Sequence, residues 1–227
     1  MAGHLVLDDL AALESLGAKI VTAADAQWPA GLRDLRDPPA FLTVRGALIA
    51  GGVALIGTRE PDAPTRAMAR DLALELAPRI PPIVAGLSPG VDAVVHRAAL
   101  ERGRATVAYL GSGLAACVDP DLAQAIVEGG GAVVSEYPPY ALPTGWTRMH
   151  RDRLQAAHAR CTVLIASELE GGAMYTMRFA AAMGRPRFVL DHAASGNRAA
   201  LAAGATLLPW SAAAAAHAIV AAVSSAG

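Results

Sequence analysis

From Val53 onward, seven short apolar runs alternate with seven helix-length segments, and this alternation limits the chain to one kind of architecture. The runs are 53–56 (VALI), 82–86 (PIVAG), 106–110 (TVAYL), 132–135 (AVVS), 162–166 (TVLIA), 187–190 (RFVL) and 205–208 (ATLL). Most are aliphatic or β-branched at successive positions, so both faces are apolar, as in parallel strands covered on two sides. The intervening segments, 64–77, 91–102, 120–128, 147–160, 175–183, 197–203 and 211–223, have helical length and period. Strand–helix alternation of this kind predicts βαβ units and a doubly wound, mostly parallel α/β sheet with helices on both faces. Residues 1–48 read differently, as a short N-terminal leader packing on a main domain over 49–227. Within the leader, 8–16 is helical in pattern, Trp28-Pro29 is a break and 41–44 is a short strand.

Composition narrows the function classes. Hydrophobic residues are 54% of the chain and charged residues 17%, which excludes a charge-rich disordered protein. Aromatics are only 4%, so the core is built from Ala, Val, Leu and Ile. Basic and acidic side chains number 19 and 20, which argues against coating nucleic acid by bulk charge and leaves room for a local basic site. Lys19 is the single lysine; the other basic residues are arginines, so an anion site here uses guanidinium forks or backbone amides. Cys117 and Cys161 fit neither a CxxC pair nor a zinc spacing, and read as small buried hydrophobes, with no metal expected. No basic stretch followed by an apolar signal core opens the sequence, and no window approaches the ~20 apolar residues of a membrane span. The expectation is a cytoplasmic protein without membrane contact.

In a doubly wound sheet the ligand site lies beyond the carboxyl ends of the strands, so the residues after each run carry the functional signal. Gly57-Thr58-Arg59 follows the first run: a tight turn, a hydroxyl and a guanidinium near a helix start, suited to phosphate. It is not a GxGxxG fingerprint. Gly86, Ser88 and Gly90 follow the second run, with Asp92 and His96 at i, i+4 on the next helix. Asp92 equally suits a helix cap, and His96 a satisfied core histidine. Gly111, Ser112 and Gly113 follow the third run, and Glu136 and Tyr137 the fourth, where they can meet a ribose or an amine, or pair with an arginine. The stretch 146–160 carries Arg148, His150, Arg151, Arg153 and His158, which suits a sugar–phosphate chain or, equally, a solvated helix face. Gly171, Gly172 and Thr176 then open another helix with free amides.

Taken in order, these motifs resemble the DNA-processing protein A family, also called DprA or Smf. Ile56-Gly57-Thr58-Arg59 is similar to its Val-Gly-Ser-Arg motif. Residues 85–92 with His96 and Ala99-Leu100 resemble its Ser-Gly-Leu-Ala-x-Gly-Ile-Asp…His…Ala-Leu signature. Trp28-Pro29, Asp37-Pro38-Pro39, Val44-Arg45-Gly46, Gly111–Leu114, Ser135–Pro138, Gly172–Thr176, Gly184-Arg185-Pro186, Ser195-Gly196-Asn197 and Gly204-Ala205 continue the pattern in order. Arg151-Asp152-Arg153 stands where the family has Arg-Asn-Arg. The resemblance implies a Rossmann-like domain, typically dimeric, that binds single-stranded DNA and helps load RecA in natural transformation, with no catalytic activity and no cofactor. Carried onto this sequence, the phosphate contacts are Thr58, Arg59, Arg151 and Arg153, with the 86–90 loop as backbone donor. The length fits a minimal or divergent member, without the extra helical N-terminal and winged-helix-like C-terminal domains of many relatives.

The main alternative is a nucleotide sensor, or a LOG-like nucleoside-monophosphate phosphoribohydrolase with Glu136 or Asp92 as its carboxylate. The Pro-Gly-Gly-x-Gly-Thr-x-x-Glu motif of that family is absent, and Phe179 stands where the trailing glutamate belongs. A Ser/His/Asp hydrolase from Asp191, His192 and Ser195 lacks a GxSxG elbow.

Overall fold

A computed structural model describes residues 7–224. Seven parallel strands form the body of one sheet: β3 (Val53–Ile56), β4 (Ile83–Ala85), β5 (Thr106–Tyr109), β6 (Ala132–Ser135), β7 (Cys161–Leu164), β8 (Arg187–Leu190) and β9 (Thr206–Leu208). These are the seven apolar runs, and β3 to β7 are buried at every position. The leader supplies two more strands, β1 (Ala18–Val21) and β2 (Leu42–Gly46). Strand β2 pairs antiparallel with β6, Val44 opposite Val134, and β1 pairs antiparallel with β2 at the sheet's edge.

The full strand order is β1-β2-β6-β5-β4-β3-β7-β8-β9. From β3 the chain winds outward through β4, β5 and β6 on one side, then returns to lay β7 against β3, with Val53 opposite Cys161. The reversal of winding between β3 and β7 is the topological switch point, where neighbouring loops diverge and open a crevice.

Helices α1 (Leu7–Ser15), α2 (Ala63–Leu76), α3 (Val91–Glu101), α4 (Pro120–Glu128) and α8 (Ala212–Ser224) cover one face of the sheet. Helices α5 (Gly145–His158), α6 (Ala173–Ala182) and α7 (Ser195–Ala202) cover the other, together with the leader residues Trp28, Leu32 and Leu35. Strand residues alternate between the two layers: Val53 and Leu55 pack toward α2, α3 and α8, while Ala54 packs in the layer of Leu154 and Ala157 of α5. The helix starts follow ordinary capping chemistry. Asp62 accepts from Thr65 N–H, Asp119 from Leu122 N–H, and Thr144 forms a reciprocal capping box with Thr147. Among the described residues, no helix is long and apolar enough to cross a membrane.

Candidate nucleic-acid interface

The loops at the switch point are held in place by backbone bonds that the sequence's glycines allow. Thr58 N–H donates to Ala166 O at 2.8 Å, fastening the loop after β3 to the end of β7. Val91 N–H donates to Thr58 O at 3.1 Å, fastening it to the start of α3. Gly90 makes the second bond possible: its φ is +84°, and any Cβ there would collide with the carbonyls of Thr58 and Arg59. The loop after β7 is set by buried Asn197, which accepts from Ser167 N–H at 3.0 Å and donates to Ile165 O and Leu190 O.

Between these loops and α5 lies an open cleft of about 370 Å³. Its lining includes Gly57, Thr58, Arg59, Ser88, Asp92, Arg148, Arg151, Asp152, Gly171, Gly172 and Thr176. The structure therefore brings together residues from four separate sequence motifs. The N-terminus of α6 opens onto the cleft at Gly172, adding the positive end of a helix dipole.

The floor is polar and buried. Arg151 is only 4% exposed; its Nε donates to Asp152 Oδ1 at 3.0 Å, and its Nη1 donates to Tyr109 O. Asp152 Oδ1 also accepts from Gln155 Nε2 at 3.0 Å. Burial raises the Asp152 carboxyl to about 6 against the opposing pull of Arg151, and the neighbouring Asp92 pushes it in the same direction as burial. Burial raises Asp92 as well. Asp92 does not cap its own helix; its Oδ2 accepts from Ser88 N–H at 3.2 Å in the loop before it. Gly86 lies against both charges, and a Cβ there would stand 2.6 Å from Arg151 Nη1 and closer still to Asp92 Oδ2.

The mouth is different. Among the described residues no hydrogen bond or ion pair engages the side chains of Arg59 and Arg148, which stand on the loop after β3 and on α5; Arg59 attracts the Asp92 and Asp152 carboxylates without contacting them. Gly111 lets α5 come this close: a Cβ on it would sit 2.9 Å from Arg148 Cα.

Other expected residues lie elsewhere. His96 is fully buried beneath the floor, with Nε2 2.7 Å from Gly86 O and Nδ1 2.6 Å from Thr106 Oγ1. Burial lowers its pKa to about 4, so it is a neutral strut under the loop, as the plainer of the two sequence readings has it. Arg153 points to the opposite flank of α5, where it makes a two-pronged pair with Glu136 at 2.7 Å on each arm. Glu136, Tyr137 and Arg153 line a separate hollow of about 100 Å³ with Asp37, Phe41, Trp146 and His150. Ser112 is buried, and Gly113 packs against the Pro138 and Pro139 carbonyls, in neither hollow. Sequence reasoning passed over Gln155, Ser167 and Glu168 in the cleft wall. Ser167 and Glu168 directly follow the 162–166 run, so the rule of reading strand ends would have found them.

The sequence profile of the DNA recombination-mediator protein A family matches residues 19–219. The chain belongs to that family. Among curated members, the putative DNA processing protein DprA of Mycobacterium tuberculosis is 31% identical across 88% of this chain. Protein Smf of Escherichia coli is 31% identical across 78% of it. The chain spans 58% and 49% of the lengths of those two relatives. Two solved family members superpose on most of it. DNA processing protein A from Streptococcus pneumoniae has a TM-score of 0.80 at 24% identity, covering 95% of this chain and 78% of its own. The Helicobacter pylori protein, solved to describe its single-stranded DNA binding mode, has a TM-score of 0.77 at 25% identity, covering 92% and 97%.

Proposed function

We propose that this chain binds single-stranded DNA in the switch-point cleft and serves DNA uptake and recombination without catalysis. The observation that carries the reading is the pair of unengaged guanidinium groups, Arg59 and Arg148, at the mouth of an open cleft at the sheet's switch point. Arginines whose donors meet no acceptor among the described residues are available to strand phosphates, which they grip with charge-assisted bonds. The amides of Arg59, Gly172 and Ala173, which meet no acceptor among the described residues, add uncharged donors to the same rim. The single-stranded DNA binding described for the Helicobacter pylori relative supports the assignment. A homodimeric state, a cytoplasmic setting and hand-over of the strand to a RecA-type recombinase belong to the same proposal and rest on family likeness.

The test is a fluorescence-anisotropy titration of labelled oligothymidine at two salt concentrations. Binding that weakens steeply with salt is expected, with Arg59→Ala and Arg148→Ala each lowering the salt slope by about one unit for any sequence. Unchanged affinity in both variants would overturn the assignment of the mouth.

A further inference from the structure

The cleft has a charge order from mouth to floor. At the mouth, Arg59 and Arg148 have no hydrogen-bond partner among the described residues, while the floor sets two carboxylates, Asp92 and Asp152, around one guanidinium, Arg151. A phosphate driven to the floor meets like charge in a partly desolvated site, where repulsion is several-fold stronger than in water. The strand's phosphates therefore stay at the mouth, and what reaches the floor is a base.

Among the described residues, the floor is also incompletely bonded. Asp152, with its side chain only 9% exposed, uses Oδ1 for both Arg151 and Gln155 and leaves Oδ2 without a protein partner. Gln155, 2% exposed, donates Nε2 to Asp152, which leaves its Oε1 unpartnered as an acceptor. Arg151, with its side chain 5% exposed, uses Nε and Nη1 and leaves Nη2 without an acceptor. All three residues line the cleft. All three atoms keep contact with solvent in the open cleft, where the groups of a ligand can answer them.

We infer that Asp152, with Gln155 and Arg151, makes the cleft floor selective for a guanine base of the bound strand. The inference rests on the reading of the cleft as a single-strand site. The free floor atoms are two acceptors and one donor. Guanine presents the complement on its pairing edge: N1–H and the 2-amino group donate, and O6 accepts. Thymine offers one N–H flanked by two carbonyls, which would face the carboxylate with like polarity. Adenine and cytosine each offer one amino group beside a ring nitrogen lone pair. Guanine alone of the four satisfies both acceptors and the donor.

Labelled oligothymidines carrying one central dG, dA, dC or deoxyinosine test this by anisotropy, with dGMP and dAMP as competitors. The dG oligomer is expected to bind about ten-fold to a hundred-fold tighter than oligothymidine. Deoxyinosine, which keeps N1–H and O6 but lacks the 2-amino group, should lose most of that gain. Asp152→Asn should bring the dG and dT oligomers to similar affinity. The inosine comparison uses the wild-type chain, so it decides the matter even where the variant does not fold. Equal binding of all oligomers by the wild type overturns the guanine inference and leaves the single-strand reading standing. Displacement of a labelled guanine mononucleotide by dGMP but not dAMP, with no oligomer bound at low salt, supports the floor assignment and overturns the single-strand reading. Failure of oligomers and dGMP alike overturns both.

Discussion

Arg151 and Arg153 sit two residues apart on one helix, and both are buried, yet they serve opposite sides of it. On the flank, Arg153 is fully engaged. Its two arms hold both oxygens of Glu136, Nε donates to Asp37 O at 3.2 Å, and Nη1 also meets His150 O. His150 lies 3.3 Å from both Asp37 and Glu136 and stacks on Trp146 with ring centres 4.4 Å apart. On the cleft side, Arg151 keeps one arm open, and Arg59 and Arg148 beyond it are unengaged. The lesson is that arginine-rich sequence is not in itself a binding signal. A guanidinium whose donors all have protein acceptors is part of the fold, and one whose donors point at solvent is available to a ligand.

The contrast can be broken most directly at Arg153. Arg153→Ala strands the Glu136 carboxylate in a buried hollow, and a loss of about 3–5 kcal/mol in stability is expected by urea denaturation. Gly86→Ala attacks the cleft floor from below. Its Cβ meets Arg151 and Asp92, and overpacking should cost roughly 1–3 kcal/mol together with a measurable loss of oligonucleotide binding. If the variant keeps both stability and binding, the floor is looser than described.

A third comparison uses pH. Asp152 has its folded pKa raised to about 6 from an ordinary 3.8, mainly by burial. The folded state therefore holds a proton through a range in which the unfolded state has released it. Stability contributed by this group is present at about pH 4 and is lost as pH rises to about 6, on the order of 2 kcal/mol. Asp152→Asn should flatten that stretch of the stability–pH curve; an unaltered slope would place the titration elsewhere. At the mouth, Arg59→Ala should leave stability within about 0.5 kcal/mol of wild type while weakening strand binding, the reverse of Arg153→Ala. The smallest loss from breaking an ion pair belongs to Arg70, whose 2.7 Å pair with Glu101 matches the Arg153 pair in length but is half exposed. Arg70→Ala should cost less than about 1 kcal/mol, which isolates burial as the source of the difference.

The parallel strands were legible because continuous apolar runs have few other uses in a soluble α/β chain. Observed helix ends fall within about two residues of the expected ones, for instance Val91–Glu101 against 91–102. Strand β1 was not legible: Ala18–Val21 lies at the sheet's edge with only Val21 buried, so it lacks the two-faced apolar pattern. Within the cleft, Gly57–Arg59, Ser88, Asp92 and Gly171–Thr176 were accessible from one rule, that ligands gather at strand ends, and Arg148 and Arg151 from the density of arginine and histidine over 146–160. The division between Arg151 and Arg153 was not. It depends on Glu136 lying across from α5 rather than beside the cleft, and sequence proximity carries no information about which face of a helix a strand-end carboxylate will meet. The sequence did pose the choice, since Glu136 was open to pairing with an arginine.

The pairing of Val53 with Cys161 has a temporal consequence. The cleft has one wall on β3 and another on β7, more than a hundred residues later in translation. Contacts so distant in sequence close late, after local helices and hairpins have formed. A nascent chain that has already paired β3 through β6 carries the arginine of the first loop but no pocket for it to guard. The cleft thus closes in one step, when β7 docks and α6 follows it. Limited digestion that clips the chain between β6 and β7 should leave an N-terminal fragment that carries Arg59 without the cleft.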